Sequence, residues 1–341
     1  MTARLKTSLT PSATPTSYDV AQRAGVSQSA VSRCFRPGSS ISAKTRARVI
    51  AAARELGYHT NAMASGLSTK RSNIVAVVIS NLTNLYYPEV LAELTRRLSD
   101  RGFRVLLFAL ETESDVDAML DQIWRYRVDG AIIAARLAPK QLREFSKRRV
   151  PVVLYNRFGD GEAVSSVCCD SIGGERQLVE RLFATGHECF GVISGPADSY
   201  VSQQRVLGAV ERLRELGHAA TIVDGAFDYD SGGRGLRELL EQTNSRLDAL
   251  ICANDLMAIG AIDCARTEFG LAVPGDLSIV GFDGVAPAHW ASYRLSTVRQ
   301  PVRQMTEAAV LMVLERIGDF SLSPEVRTFA GSLVEGGSAR F

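Results

Sequence analysis

YDVAQRAGVSQSAVSRCF, residues 18–35, sets two short apolar registers either side of one glycine. Val20, Ala21 and Ala24 repeat at helical spacing, and Gly25 ends the run with a tight turn that a Cβ would hinder. Ser27 is placed to cap a second helix, Gln28 to Phe35, which packs through Ala30, Val31 and Cys34. A helix-turn-helix needs a small residue where its helices cross, glycine at the turn and an apolar residue facing inward from the second helix. Ala21, Gly25 and Val31 supply these at spacings of four and six. Upstream, Thr16 with Asp19 three residues on reads as an N-terminal cap, Asp standing in for the usual Glu. Downstream, Pro37-Gly38 breaks the chain, and Ser42 opens a third helix carrying Val49, Ile50, Ala53 and Leu56 before Gly57 closes it.

Charge sets this segment apart. Residues 1–71 hold 11 Lys and Arg against Asp19 and Glu55, a net +9, so the rest of the chain carries −7 within an overall +2. A basic head on an acidic body suits a domain that binds nucleic acid while its partner domain repels phosphates. The opening MTARLKTSLTPSATPTS has no apolar core, so a secretory signal is not expected and residues 1–15 read as a disordered tail. The longest apolar run, Ile74 to Ile79, is too short to span a bilayer. Six cysteines without a Cys-x-x-Cys pair imply neither a zinc site nor a disulfide framework, and the expected compartment is the cytoplasm. Cys34 reads as a small core residue, with a redox role as the alternative.

From Asn73 the period changes. Apolar strands at Ile74–Ile79, Val105–Ala109, Gly130–Ala134, Val152–Tyr155, Phe190–Ser194, Thr221–Val223, Ala249–Cys252 and Leu277–Phe282 alternate with amphipathic helices. Such strands imply parallel sheets covered on both faces, in more βα units than one sheet needs. The expected fold is an all-α head followed by two doubly wound lobes, with a ligand cleft at the carboxyl ends of the strands. Enzyme machinery is not apparent. The Ser of Gly191-Val-Ile-Ser-Gly195 is one position late for a nucleophile elbow, and neither a P-loop nor a complete G-x-G-x-x-G occurs. No enzyme activity and no cofactor are expected.

The quoted stretch, with SAKTRARVIAAARELGYHTNA after it, closely resembles the head of the lac repressor/galactose repressor family. VISNLTNLYYPEV, VISGP, ICANDLMAIGA, VPGDLSIVGFD and LSTVRQP resemble that family's effector domain, also called periplasmic-binding-protein-like. The resemblance implies a head at 16–59, a hinge helix and linker at 60–72, and a two-lobed body at 73–341. The first lobe takes about 73–170 and 301–328, the second about 171–300 and 329–341.

It further implies that the second helix enters the major groove. Gln28, Ser29 and Arg33 are then the base-reading candidates, and Tyr18, Ser27 and Ser32 the phosphate contacts. Arg33 can fork onto guanine, worth about 1–3 kcal/mol of discrimination, or touch a phosphate instead. Within Asn61–Leu67, Leu67 matches a wedge that kinks the minor groove, and Gly66 predicts a hinge loose off DNA.

For the effector, the resemblance offers Tyr86 and Tyr87 as an aromatic wall, with Ser199, Arg205, Phe227, Asn254 and Asp283 around the ligand. Structural alternatives stay open: a salt bridge for Arg205, a turn cap for Asp283 and a helix cap for Asn254. Arg136 and Arg157 suggest an anionic ligand if they face the cleft. The implied partners are operator DNA, a sugar, sugar acid or sugar phosphate, and a second copy of the chain. A dimer is favoured over a tetramer because the tail lacks leucine heptads. A ligand-independent DNA-binding regulator is the alternative, and a sugar-binding protein without a DNA role a more distant one.

Overall fold

The computed structural model describes residues 14–35, 39–59, 71–110, 116–159 and 161–341. The chain forms two compact units, residues 1–72 and 73–341. In the first, α1 (Ser17–Ala24), α2 (Gln28–Cys34) and α3 (Ala43–Leu56) close on Val20, Ala21, Ala24, Val31, Cys34, Val49, Ala52 and Ala53. So small a core depends on well-made helix ends. Thr16 and Asp19 cap α1 reciprocally, the Asp19 N–H donating to Thr16 Oγ1 at 3.4 Å and the Thr16 N–H to Asp19 Oδ2 at 2.7 Å. Gly25 makes the turn at φ +60°. Ser27 Oγ accepts from the Ala30 N–H at 3.3 Å, and Ser42 Oγ from the Thr45 N–H at 3.2 Å. The second helix ends one residue earlier than expected, leaving Phe35 to tilt against Tyr58 with ring centroids 6.0 Å apart.

The second unit runs β1 (Ile74–Ser80), α4 (Tyr86–Asp100), β2 (Arg104–Leu110), α5 (Val116–Tyr126), β3 (Gly130–Ala134), α6 (Pro139–Lys147), β4 (Val152–Tyr155) and β5 (Ser165–Cys169). It continues α7 (Ser171–Ala184), β6 (Phe190–Ile193), α8 (Tyr200–Glu215), β7 (Ala220–Val223), α9 (Tyr229–Gln242), β8 (Ala249–Cys252), α10 (Asp255–Thr267) and β9 (Ser278–Asp283). A short 3-10 turn, Ala286–His289, precedes β10 (Ser296–Arg299), α11 (Val302–Gly318), β11 (Val326–Phe329) and β12 (Ser332–Val334).

Two sheets result. One has the order β11-β5-β4-β3-β1-β2, parallel throughout. The other has the order β12-β10-β9-β8-β6-β7, with only β12 antiparallel. The central strands are buried along their length because helices cover both faces. All eight strands expected from apolar runs are present. Those not expected were hidden by composition: β5 is Ser-Ser-Val-Cys-Cys and β10 is Ser-Thr-Val-Arg, while β11 and β12 are short edge strands. The chain passes between the sheets after β5, after β10 and after β11. Strands from both therefore end beside the same crossings.

Candidate DNA-reading face and effector cavity

On the first unit, Tyr18, Ser27, Gln28, Ser29, Ser32 and Arg33 are all exposed, while Val31 and Cys34 point into the core. Helical geometry enforces this split, since residues three and four apart share a face. Gln28 Nε2 donates to Ser17 Oγ at 3.3 Å, and Arg33 Nε reaches back to the Ser29 carbonyl at 3.4 Å. Both are weak local contacts that a stronger partner can replace. Asn61 and Leu67 lie outside the described residues.

In the second unit a cavity of about 390 Å³ opens at the carboxyl ends of strands from both sheets. Ser80 ends β1, Asn81 and Asn84 follow it, and Tyr86 and Tyr87 begin α4. Asn156 and Arg157 follow β4, Ser199 caps α8, and Phe227 follows β7. Asp283 ends β9, and Gln300 stands at the crossing after β10.

A hydrogen-bonded chain runs through the floor of this cavity. Arg205 Nη1 donates to the Ala253 carbonyl at 2.5 Å and Nη2 to Asp283 Oδ1 at 2.7 Å. Gln300 Nε2 donates to the same Asp283 oxygen at 2.7 Å, and Asn156 Nδ2 donates to Gln300 Oε1 at 2.9 Å. Asn156 Oδ1 in turn accepts the Cys169 N–H at 2.9 Å. The network thus links β9 in one sheet to β4 and β5 in the other. The Arg205 guanidinium lies 4.0 Å from the centre of the Phe282 ring, a favourable cation–π position. Burial pushes the Asp283 carboxyl up, against the pull of Arg205 and Gln300. The Tyr86 hydroxyl lies 3.1 Å from that of Tyr155, and burial pushes both well up, so both stay neutral.

Asp283 sits at φ +130°, a region costly for a residue with a Cβ and tolerated where surrounding bonds over-determine it. Gly284 follows at φ +73°, where a Cβ would stand 2.5 Å from Arg299 Cβ. The turn therefore requires glycine and forbids a second acid.

Of the effector residues expected from sequence, Tyr86, Tyr87, Ser199, Arg205, Phe227 and Asp283 line the cavity together. Two do not. Asn254 is fully buried and caps α10: its Oδ1 accepts the Met257 N–H at 2.9 Å and its Nδ2 donates to the Phe227 carbonyl at 3.0 Å. Arg136, in the loop after β3, is exposed between buried Ala135 and Leu137 and does not line the cavity. Arg157, in the next strand-end loop, lines the wall instead. Sequence reasoning did not assign Asn156 or Gln300 to the site, although Gln300 lies within LSTVRQP and Asn156 directly precedes Arg157.

Among the described residues no helix is long and apolar enough to cross a membrane, and no three His, Cys, Asp or Glu cluster as a metal site. His187 is structural: its ring nitrogens lie 2.7 Å from the Leu182 carbonyl and 2.8 Å from Ser278 Oγ.

A helix-turn-helix unit followed by a two-lobed unit with a polar, aromatic-walled cavity defines a DNA-binding transcription regulator with an effector domain. Comparison with known proteins agrees. The sequence model of the bacterial regulatory proteins, lacI family, matches residues 16–61, and that of the periplasmic binding protein-like domain matches residues 179–339. The chain is 31% identical over 310 residues to the HTH-type transcriptional repressor PurR of Klebsiella pneumoniae (strain 342), covering 88% of this chain and 89% of that protein. A solved lac repressor dimer bound to operator and the anti-inducer ONPF superposes with a TM-score of 0.85 at 28% identity, covering 95% of this chain and 98% of that one. The complex of the transcriptional regulator CelR with cellobiose gives a TM-score of 0.72 at 30% identity, covering 95% and 100%. The protein belongs to the lacI family of bacterial regulatory proteins.

Proposed function

We propose that the protein represses transcription as a homodimer on a pseudo-palindromic operator and is switched by a small polyhydroxylated metabolite. The observation that carries this reading is the cavity: tyrosine faces on one wall, and a buried Arg205–Asp283–Gln300–Asn156 network below. Aromatic faces suit the apolar side of a sugar ring, and fixed planar polar groups suit adjacent hydroxyls. Arg157 in the wall suits an acidic or phosphorylated substituent through a charge-assisted contact. Two relatives support the class, one solved with cellobiose and the other, a dimer, with operator and an anti-inducer. The chemistry is binding rather than catalysis, since the buried polar groups hold one another and the tyrosine hydroxyls keep their protons.

In the head, Gln28, Ser29 and Arg33 read bases, while Tyr18, Ser27 and Ser32 hold phosphates. Asn61 and Leu67 contribute at the operator centre. An effector shifts operator affinity by preferring one arrangement of the two lobes over another, with a coupling typically of about 1–3 kcal/mol.

The deciding experiment is the melting temperature of the full chain against neutral sugars, sugar acids, sugar phosphates and nucleobases. A ligand at 100 times its dissociation constant should stabilise by about 2.7 kcal/mol. A hit among the sugars supports the reading, and one confined to acids or phosphates assigns Arg157 the anion. A flat panel overturns it in favour of a ligand-independent regulator.

A further inference from the structure

Behind the cavity, the α7–α8 seam holds a carboxyl group for which the effector reading has no use. Glu175 is 1% exposed, and neither of its carboxyl oxygens has a hydrogen-bond partner among the described residues. The two helices approach closely here: a Cβ on Gly208 would stand 2.8 Å from the Ile172 carbonyl oxygen and 3.2 Å from Glu175 Cβ. Arg205 lies one turn before Gly208 on α8, and its Nε is also buried without a partner. The preceding residue, Gly174, packs against the Phe282 ring on which that guanidinium lies. A buried acid and a buried, unused N–H thus share one seam.

We propose that Glu175 is a positioning residue for Arg205, and that its ionised form competes with Asp283 for the guanidinium, making the effector cavity proton-sensitive. With Glu175 neutral, Arg205 stays on Asp283 and the Ala253 carbonyl, as the structure shows. When Glu175 loses its proton, its carboxylate accepts from the Arg205 Nε–H, and the hold on Asp283 loosens. The inference rests on the effector reading only for what the cavity binds.

The surroundings of Glu175 explain why one guanidinium must be shared. It faces Arg205 on α8, Asp283 at the end of β9, Asp255 at the start of α10 and Cys252 at the end of β8. Of the other strands packed on α7, β12 carries no charge, and the one charge on β10, Arg299, is exposed and 3.7 Å from Glu89. Further along α7, Arg176 and Glu180 pair with Glu215 and Arg212 of α8. Three carboxyl groups therefore stand around a single cation. Burial pushes Glu175 up to about 8, with Arg205 pulling it down and Asp283 and Asp255 pushing it further up. Burial, with Asp283 beside it, also pushes Asp255 up. A carboxyl raised in the folded protein stabilises it below the ordinary carboxylate range, and that contribution is lost as pH rises through about 8.

The experiment compares full-length wild type with Glu175→Gln in urea unfolding between pH 5.5 and 9, with no ligand present. The unfolding constant of the wild type should rise about tenfold more per pH unit than that of the variant below the midpoint, reflecting one extra proton released. Superimposable profiles overturn the proposal and leave the effector reading standing, just as a flat ligand panel would leave this difference standing. The link to the cavity is tested in Asp283→Asn, with and without Glu175→Gln. Removing that carboxylate should move the one-proton difference to lower pH, and an unmoved difference shows a buried acid unconnected to the cavity. If the Asn variant does not fold, Arg205→Lys keeps the charge but removes the Nε–H and should move the midpoint up; again, no movement overturns the link.

Discussion

The head and the body hold their functional side chains in opposite ways. On α2, Gln28, Ser29 and Arg33 stand in solvent, their side chains making only local contacts within the head. In the body, Arg205, Asp283, Gln300 and Asn156 are buried and bonded to one another. A surface that tracks a long polyanion and tests many base edges keeps its donors hydrated and mobile, so its affinity varies with salt. A cavity that selects one small molecule fixes its polar groups beforehand, so less order is lost on binding. Folding stability and recognition are therefore nearly separate in the head and nearly inseparable in the body.

The comparison breaks most readily at Arg205. Arg205→Ala leaves the Asp283 carboxylate buried without its cation, and urea unfolding should show a loss of about 3–5 kcal/mol together with loss of any effector response. A loss below about 1 kcal/mol would mean that the network is not what holds the second lobe's floor. The counterpart in the head is Arg33→Ala. It should cost about 1–3 kcal/mol of discrimination between operator and mismatched DNA, while stability stays within about 0.5 kcal/mol. Equal loss on operator and random DNA, read by fluorescence anisotropy, would make Arg33 a phosphate contact.

Two further substitutions sharpen the boundary of the cavity. Asn254→Ala removes the cap of α10 and should lower stability by about 1 kcal/mol. Arg136→Ala should leave stability within about 0.5 kcal/mol and the ligand-induced melting shift unchanged. A lost shift would return Arg136 to the binding site.

Asn254 and Asp283 show where sequence reading ends. Each puts a small polar side chain at or just past the end of a buried strand, and by sequence pattern they look alike. The residue after each one separates them. Helix α10 begins at Asp255, so its backbone claims the Asn254 oxygen. Asp283 is followed by a glycine in a left-handed turn, so no helix claims its carboxylate, which meets Arg205 and Gln300 instead. Gly284 is thus the local signal that tells a cavity acid from a helix cap. Asn156 and Gln300 escaped for another reason: their bond joins residues 144 apart, and no local pattern encodes such a contact. The head was legible because its caps, turn and core repeat within a few residues. The strands were legible wherever they were apolar, and illegible where Ser, Thr and Cys filled β5 and β10.

The three crossings between the sheets also bear on assembly order. The first lobe takes α11 and β11 from residues 302–329, and the second is sealed by β12 and by Ser338, whose hydroxyl accepts the Ser296 N–H at 2.8 Å and donates to the Ile279 carbonyl at 2.6 Å. A nascent chain can fold its three-helix head from contiguous sequence as soon as Tyr58 has left the ribosome. Neither lobe can finish until the far end of the chain emerges, and such high contact order slows folding. During synthesis the DNA-binding unit is therefore complete well before the domain that governs it.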